Sequence, residues 1–361
     1  MKKNNFKPYK VGTVFNKLEQ IIANNIKPVF KSIEIKYPSR LNAMALDPSK
    51  IASNDNLHYS PGEIIFKVKI YKKVKVSVIP NSEIIISNGS NRKSLIMHSA
   101  ILMRKALKVK HGFFIDVDNQ NEIRHAGLGS SSGLISAVAC AINETYGNPI
   151  KTDNLLKYLA QNHGEETGND NFLSPVQCIG GSAAAGLYDG ALIILAGENK
   201  VILNNNIDSN YRVVIGIPND FKELNADILL NKEIKNFPKF IRTGKVYGPE
   251  IAYRLLHKVL PALKENNLEE LGDLIFDYRF KMGSIKNCSY VYPKLTQLAK
   301  KLEFLKTQGM VDVLSISSVG PAFFAITYDT VKCTAVFKRL NLNTFVADID
   351  NSKYKILRKK N

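Results

Sequence analysis

The residues best equipped for chemistry lie together in Arg124-His125-Ala126-Gly127-Leu128-Gly129-Ser130-Ser131-Ser132-Gly133, which runs straight into the apolar stretch Leu134 to Tyr146. A glycine-serine turn that opens a helix is a site for anions. The first backbone N–H groups of a helix lack internal partners and sit at the positive end of its dipole. Gly127 and Gly129 permit positive φ and close backbone approach, and the hydroxyls of Ser130, Ser131 and Ser132 can cap the helix or touch the ligand. The chemistry expected is a phosphate cradle. An ordinary serine-capped helix start is the structural alternative.

Other candidates are spread along the chain. Arg40 follows a predicted strand in Pro38-Ser39-Arg40-Leu41-Asn42, and Lys50 lies in a polar loop. His163-Gly164-Glu165-Glu166-Thr167-Gly168-Asn169-Asp170 is the densest acidic loop, where Glu165 and Glu166 could hold magnesium. Ser317-Ser318-Val319-Gly320-Pro321 is a second hydroxyl-rich turn after a strand. His98, His111, His163 and His257 have no metal-ligand spacing. The cysteines Cys140, Cys178, Cys288 and Cys333 form no Cys-x-x-Cys pair, which argues against zinc or a disulfide framework and fits a reducing cytoplasm.

The elements that must position these groups can be read from periodicity. A short helix is predicted around Val14 to Ile22, a strand over Ile33 to Tyr37 that stops at Pro38, and strands over 64–71, 74–79 and 83–86. A helix over 94–107 and a strand over 113–117 lead to the cradle. The helix after it places Leu134, Val138 and Ile142 on one face and ends at Gly147. After a second helix (154–161) and the acidic loop, the small-residue run Ile179 to Gly190 precedes a buried strand at 191–195. From Tyr211 the pattern becomes one strand, helices near 249–260, 262–281 and 293–308, strands at 313–316 and 323–327, a helix over 329–340, and closing strands at 344–347 and 353–357. This divides the chain into an extension (1–30), an N-terminal domain (31–210) and a C-terminal domain (211–361).

At 361 residues and 45% hydrophobic composition, the chain is long enough for two domains. Fifty basic against 32 acidic side chains give a formal charge of +18, which favours anionic partners. Much of that charge lies in dispersed lysines, and no nucleic-acid motif accompanies it. No apolar run approaches the roughly twenty residues that cross a bilayer. The expected partners are therefore small anionic substrates, with no membrane and no nucleic acid; a homodimer is left open.

Taken together, Pro38-Ser39-Arg40-Leu41, Gly127-Leu128-Gly129-Ser130-Ser131 and Ser317-Ser318-Val319-Gly320-Pro321 resemble, in order and spacing, the GHMP superfamily. The resemblance implies an α+β fold: an N-terminal domain like the second domain of ribosomal protein S5, then a ferredoxin-like C-terminal domain. It also implies an ATP-binding Gly-Leu-Gly-Ser-Ser loop. Kinases of this layout carry an aspartate where alignment places Ser182, and Ser182 supplies no carboxylate. One branch without that aspartate is that of the β-ribofuranosylaminobenzene 5′-phosphate synthases, which the other two motifs resemble: its members start with Pro-Ser-Arg and carry Ser-Ser-x-Gly-Pro near the end.

By that resemblance the substrate is phosphoribosyl pyrophosphate with Mg2+. Ribose 5-phosphate would be joined to a carboxylated aromatic or heteroaromatic ring, with loss of pyrophosphate and carbon dioxide. Ser39, Arg40, Asn42, Lys50, His125, Gly127, Gly129, Ser130, Ser131, Ser132, Ser182, Ser317, Ser318 and Gly320 would form the phosphate and substrate site, with Glu165 and Glu166 near the metal. The sequence departs from the branch at Asn42, where a histidine is usual, and at Ser131-Ser132-Gly133, where Gly-Thr-Gln is typical. An ATP-dependent small-molecule kinase, with Glu165 or Glu166 replacing the aspartate, is the alternative. A silent binding protein that keeps the cradle is a third reading.

Overall fold

A computed structural model describes residues 7–50, 61–119, 127–176, 178–222 and 226–361. The first described element is a two-residue strand, β1 (Tyr9–Lys10), and residues 11–30 contain no helix, so the one predicted over Val14 to Ile22 does not form. The side chains of Val14, Leu18 and Ile22 pack on the main core without it. Strand β2 (Ser32–Ala45) does not stop at Pro38 but continues through Arg40, with register shifts at Pro38/Ser39 and Asn42/Met44. A proline is tolerated there because the bulge beside it interrupts the ladder. The strands expected at 64–71 and 74–79 are one long strand, β3 (Glu63–Ile79), paired antiparallel with β2 over almost its whole length.

Strand β4 (Ile84–Ile86), helix α1 (Lys93–Leu107) and β5 (Gly112–Asp118) follow, then α2 (Ser130–Thr145) and α3 (Thr152–Gln161). The acidic segment forms a hairpin of β6 (Gly164–Glu166) and β7 (Phe172–Pro175), with β1 on its outer edge. The small-residue run becomes helix α4 (Gly181–Leu187), and β8 (Leu192–Ala196) and β9 (Lys200–Asn205) complete this part. Helix α2 is buried on nearly every face, with Leu134, Val138 and Ile142 in the main core against β2, β3 and α1. Its alanines, serines and glycine let it pack that deeply.

Strand β10 (Arg212–Pro218) opens the second half, followed by the long helix α5 (Ala226–Arg254). A π-helical turn (Leu255–Val259) joins α5 to α6 (Leu260–Lys264), and α7 (Glu269–Phe276) runs into another at Asp277–Lys281. Then come α8 (Ser284–Cys288), α9 (Leu295–Leu302), α10 (Phe304–Thr307), β11 (Val313–Ile316), β12 (Phe323–Thr327), α11 (Thr330–Arg339) and β13 (Leu342–Asp348). The sheet order β13-β10-β12-β11, antiparallel throughout, is the βαββαβ pattern of a ferredoxin-like domain. The last strand, β14 (Lys355–Lys360), leaves that block and pairs antiparallel with β2. Residues 211–361 are therefore not one continuous unit. Fully buried Lys67 secures the return, its ammonium donating to the carbonyls of Tyr188 and Ser352 at 2.7 and 2.9 Å. No helix among the described residues is long and apolar enough to cross a membrane.

Tyr37 and Gly186 show how tightly β2 and α4 fit. The Tyr37 hydroxyl donates to the carbonyls of Ser182 and Ala183, and a Cβ on Gly186 would lie 2.0 Å from the Tyr37 ring. Gly186→Ala should therefore cost about 1–3 kcal/mol of stability, the usual penalty for overpacking a well-filled core. Thermal or urea unfolding will measure it.

Candidate active site

Helix α2 starts at Gly129, which has φ +68° and provides no side-chain cap. The first intrahelical bond runs from Gly133 N–H to the Gly129 carbonyl at 2.9 Å. The N–H groups of Ser130, Ser131 and Ser132 thus lack helical acceptors and open toward a cleft. Gly127 is held from two sides: Arg40 Nη1 donates to its carbonyl at 2.9 Å and Ser317 Oγ donates to the same oxygen at 2.6 Å. A Cβ on Gly127, whose φ is +91°, would sit 2.3 Å from the Ser317 carbonyl. The three separated sequence motifs therefore meet at one peptide group.

The cleft, about 210 Å3, is walled by Arg40, Asn42, Gly127, Gly129, Ser130, Ser131, Ser132, Glu165, Ser182, Ser318 and Gly320 among the expected residues. Arg40 Nε is buried and has no acceptor. It lies 3.1 Å from where a Gly129 Cβ would stand, so an unsatisfied cationic donor flanks the open helix end. This is the arrangement an incoming phosphate satisfies. Ser317 is fully buried behind the wall, and it also accepts from Asn42 N–H at 3.0 Å.

Several expected residues take other roles. Ser39 is buried with Lys72 Nζ 3.5 Å from its hydroxyl, and it does not wall the cleft. Lys50 is exposed on the turn Pro48–Lys50, also outside the cleft lining. His125 lies outside the described residues. Glu165 reaches the cleft wall and Glu166 does not, and both pair with buried Arg92, at 2.7 and 2.6 Å. Arg92 also donates to Ser130 Oγ at 3.0 Å and Ser131 Oγ at 2.6 Å, and Ser131 donates in turn to Glu165 at 2.7 Å. Two of the three cradle hydroxyls are thus held by this network, which fixes the first turn of α2 from behind. Ser132 Oγ alone turns toward α4, donating to Ser182 Oγ at 2.7 Å. Among the described residues no group of three His, Cys, Asp or Glu side chains converges as a metal site.

The sequence reading missed four ionisable residues that wall the cleft: Glu63, His163, Cys178 and Glu233. Glu63, at the start of β3, is almost completely buried. Its carboxylate accepts from Gly181 N–H at 2.6 Å and, through a short contact, from Asn42 Nδ2. Burial raises its pKa, opposed by Arg40, Gly181 and Asn42. Its place next to Gly62 and within an apolar strand gave no periodic signal. Glu233 on α5 is pushed up to about 7 by burial, and His163 is lowered to about 4, chiefly by burial, so it is neutral at pH 7. The Cys178 thiol is pushed up to about 12 by burial and is no thiolate nucleophile at neutral pH.

Residues 94–174 match the family described as the GHMP kinases N terminal domain, and that span runs from the first turn of α1 through the cradle into β7. The chain has a GHMP-kinase-like fold. Among solved structures, homoserine kinase from Cytophaga hutchinsonii covers 94% of this chain and 100% of its own, at 15% identity and a TM-score of 0.57. Galactokinase from Lactococcus lactis, complexed with galactose, covers 90% of this chain and 95% of its own at 14% identity and a TM-score of 0.64. Mevalonate kinase from L. major, in complex with R-mevalonate, covers 91% and 99% at 16% identity and a TM-score of 0.58. No curated protein matches the sequence. In the GHMP-kinase-like fold of this chain, the cleft lies where the part that carries α2 meets the ferredoxin-like block, since Gly129 and Ser318 wall it from those two parts.

Two outcomes follow from the cradle geometry. Gly129→Ala introduces a left-handed alanine, at a cost of about 1–2 kcal/mol, and places a methyl 2.6 Å from Ser182 Oγ at the anion position. Pyrophosphate affinity should fall about tenfold or more by calorimetry, equivalent to about 1.4 kcal/mol. Sulfate remains a dianion across neutrality while Glu233 becomes charged as pH rises through about 7. Sulfate affinity should therefore decline across that pH, and Glu233→Gln should flatten the titration there.

Proposed function

We propose that the protein is an ATP-dependent phosphotransferase for a small-molecule alcohol or amine, binding the polyphosphate at the N-terminus of α2. The observation that carries this reading is Glu63. A hydroxyl that attacks phosphorus benefits from a base, and Ser182 cannot be one. Glu63 brings a carboxylate to the same cleft, hydrogen-bonded to Gly181, the residue before Ser182. It replaces Glu165 and Glu166 as the substitute for the kinase aspartate, because those two are engaged by Arg92. Burial makes Glu63 more basic than an ordinary carboxylate, and its two hydrogen bonds fix the orientation of both oxygens.

In the proposed reaction Glu63 accepts the acceptor hydroxyl proton as that oxygen attacks the γ-phosphorus. The bond from phosphorus to the bridging oxygen breaks, and ADP leaves. Arg40 Nε and the open N–H groups of Ser130 to Ser132 stabilise the charge on the transferred group and the departing ADP. The described carboxylates do not fit a closed protein cage for magnesium. An ion would be brought in by the phosphates themselves. The likeness to solved proteins named homoserine kinase, mevalonate kinase and galactokinase supports the reading at the level of fold.

One observation favours a second reading, decarboxylating C-ribosyl transfer from phosphoribosyl pyrophosphate. Both Arg40 of Pro38-Ser39-Arg40 and Ser317 of the Ser-Ser-x-Gly-Pro turn grip the Gly127 carbonyl, as one sugar-pyrophosphate cradle would require. In that chemistry the acceptor carboxylate leaves as carbon dioxide, so no protein base is needed.

Parallel assays separate the two: ADP formation from ATP with a panel of small alcohols and amines, and pyrophosphate release from phosphoribosyl pyrophosphate with aromatic acids. ADP formation is expected, with Glu63→Gln lowering kcat by about 10²–10⁴-fold while KM for ATP holds. Pyrophosphate release that is insensitive to Glu63→Gln, without ADP formation, would overturn the kinase reading in favour of the second.

A further inference from the structure

The lysines that read as dispersed in the sequence are gathered by helix α5 into one row. Lys232, Lys235, Lys239 and Arg242 follow one another at steps of three and four residues, which puts them on one face of the helix, with Lys245 beside them. The same steps continue the row back to Ile228 and forward to Val246 and then, through Pro249, to Tyr253 and Leu256. Every one of these residues is exposed. The opposite side of the helix is the one that packs: Leu230, Phe237, Phe240 and Ile251 are buried, and Thr243 Oγ1 accepts from Asn287 Nδ2 of α8 at 2.9 Å.

Exposed helix faces usually mix charges of both signs, because like charges at these spacings repel. Among the described residues none of the five cations pairs with a carboxylate, and Lys239 donates only to the neutral amide oxygen of Asn236, at 2.8 Å. Glu250, the exposed acid farther along the helix, is 3.6 Å from Arg254. Lys50 and Lys286, both exposed, stand on the two elements packed beside α5, the turn Pro48–Lys50 and α8. An anionic surface laid along the row would relieve the repulsion.

The apolar members of the row decide which anionic surface. Ile228, Val246, Tyr253 and Leu256 are between 51% and 60% exposed. Pro249 also lines a mostly apolar cavity of about 460 Å3 with Leu46, Ile202, Ile251 and Leu255, Asp47 and Ser49 being its polar members. Aliphatic side chains gain nothing from a nucleic-acid backbone. At the boundary between lipid headgroups and acyl chains they are taken out of water while the headgroups neutralise the cations beside them, and tyrosine favours the same depth.

We propose that the outer face of α5 docks the protein on an anionic lipid bilayer, lying along the surface without crossing it. This departs from the expectation of no membrane partner, and it does not depend on which reaction the cleft performs. The full-length protein should be sedimented with vesicles of phosphatidylcholine and with vesicles of an equimolar phosphatidylcholine–phosphatidylglycerol mixture, and titrated in parallel with a mixed-sequence single-stranded RNA by fluorescence anisotropy. Binding to the anionic vesicles is expected, about tenfold or more tighter than to the neutral ones and weakening as salt rises.

A triple variant, Lys235→Gln with Lys239→Gln and Arg242→Gln, should lower vesicle affinity about a hundredfold, from roughly fivefold per cation. Val246→Ser with Leu256→Ser leaves every charge in place and should lower it about tenfold. All five substitutions are at exposed positions outside the cleft, so the unfolding temperature and pyrophosphate binding should hold. Equal partition to both kinds of vesicle, vesicle binding indifferent to either variant, or binding of the RNA in place of the vesicles would overturn the proposal.

Discussion

One peptide carbonyl, that of Gly127, organises the cleft. Arg40 from β2 and Ser317 from the turn after β11 both donate to it, and Asn42 N–H closes the circle on Ser317. Backbone groups are strong acceptors, and a buried carbonyl with two good donors is difficult to displace. The grip sets the approach of the chain to α2, and therefore where the open N–H groups of that helix point. It also makes the two halves of the molecule interdependent at the site. The anion position belongs to neither half alone.

Charge is arranged around that position in layers. Directly behind the first turn, Arg92 is neutralised by Glu165 and Glu166 and holds two serine hydroxyls, so its cationic charge is spent on rigidity. At the front, Arg40 keeps an unsatisfied donor. Pre-organised donors in a largely buried setting need little rearrangement as charge develops on a phosphate. The contrast between the two arginines separates structural support from binding.

Much of this was legible in the sequence, for physical reasons. Gly127 and Gly129 announce the left-handed turn because other residues are strained there, and the apolar spacing after Ser132 marks a helix whatever lies around it. The alternation of β-branched residues located the strands, and the expectation of a ferredoxin-like half came from the family resemblance of the three motifs. What was not legible depends on tertiary partners. Arg92 sits on no motif, and only the fold brings it against a hairpin seventy-odd residues later, so Glu165 and Glu166 read as free ligands. Glu63 looked like a loop residue because nothing local shows that β3 begins with a buried carboxylate facing Gly181. The N-terminal stretch around Val14 misled for the opposite reason: its apolar residues have helical spacing, but packing on the core satisfies them in an irregular path.

The return of β14 to β2 has a consequence for how the molecule is made. Strand β2 is made long before β14, and β3 covers one of its edges soon after. Its other edge waits until the ferredoxin-like half has been synthesised and Lys355–Lys360 arrives. Through that interval a row of unpaired backbone groups remains exposed, available to any passing strand. A nascent chain built in this order has a long window of vulnerability to mispairing, and it closes only when β14 has been made.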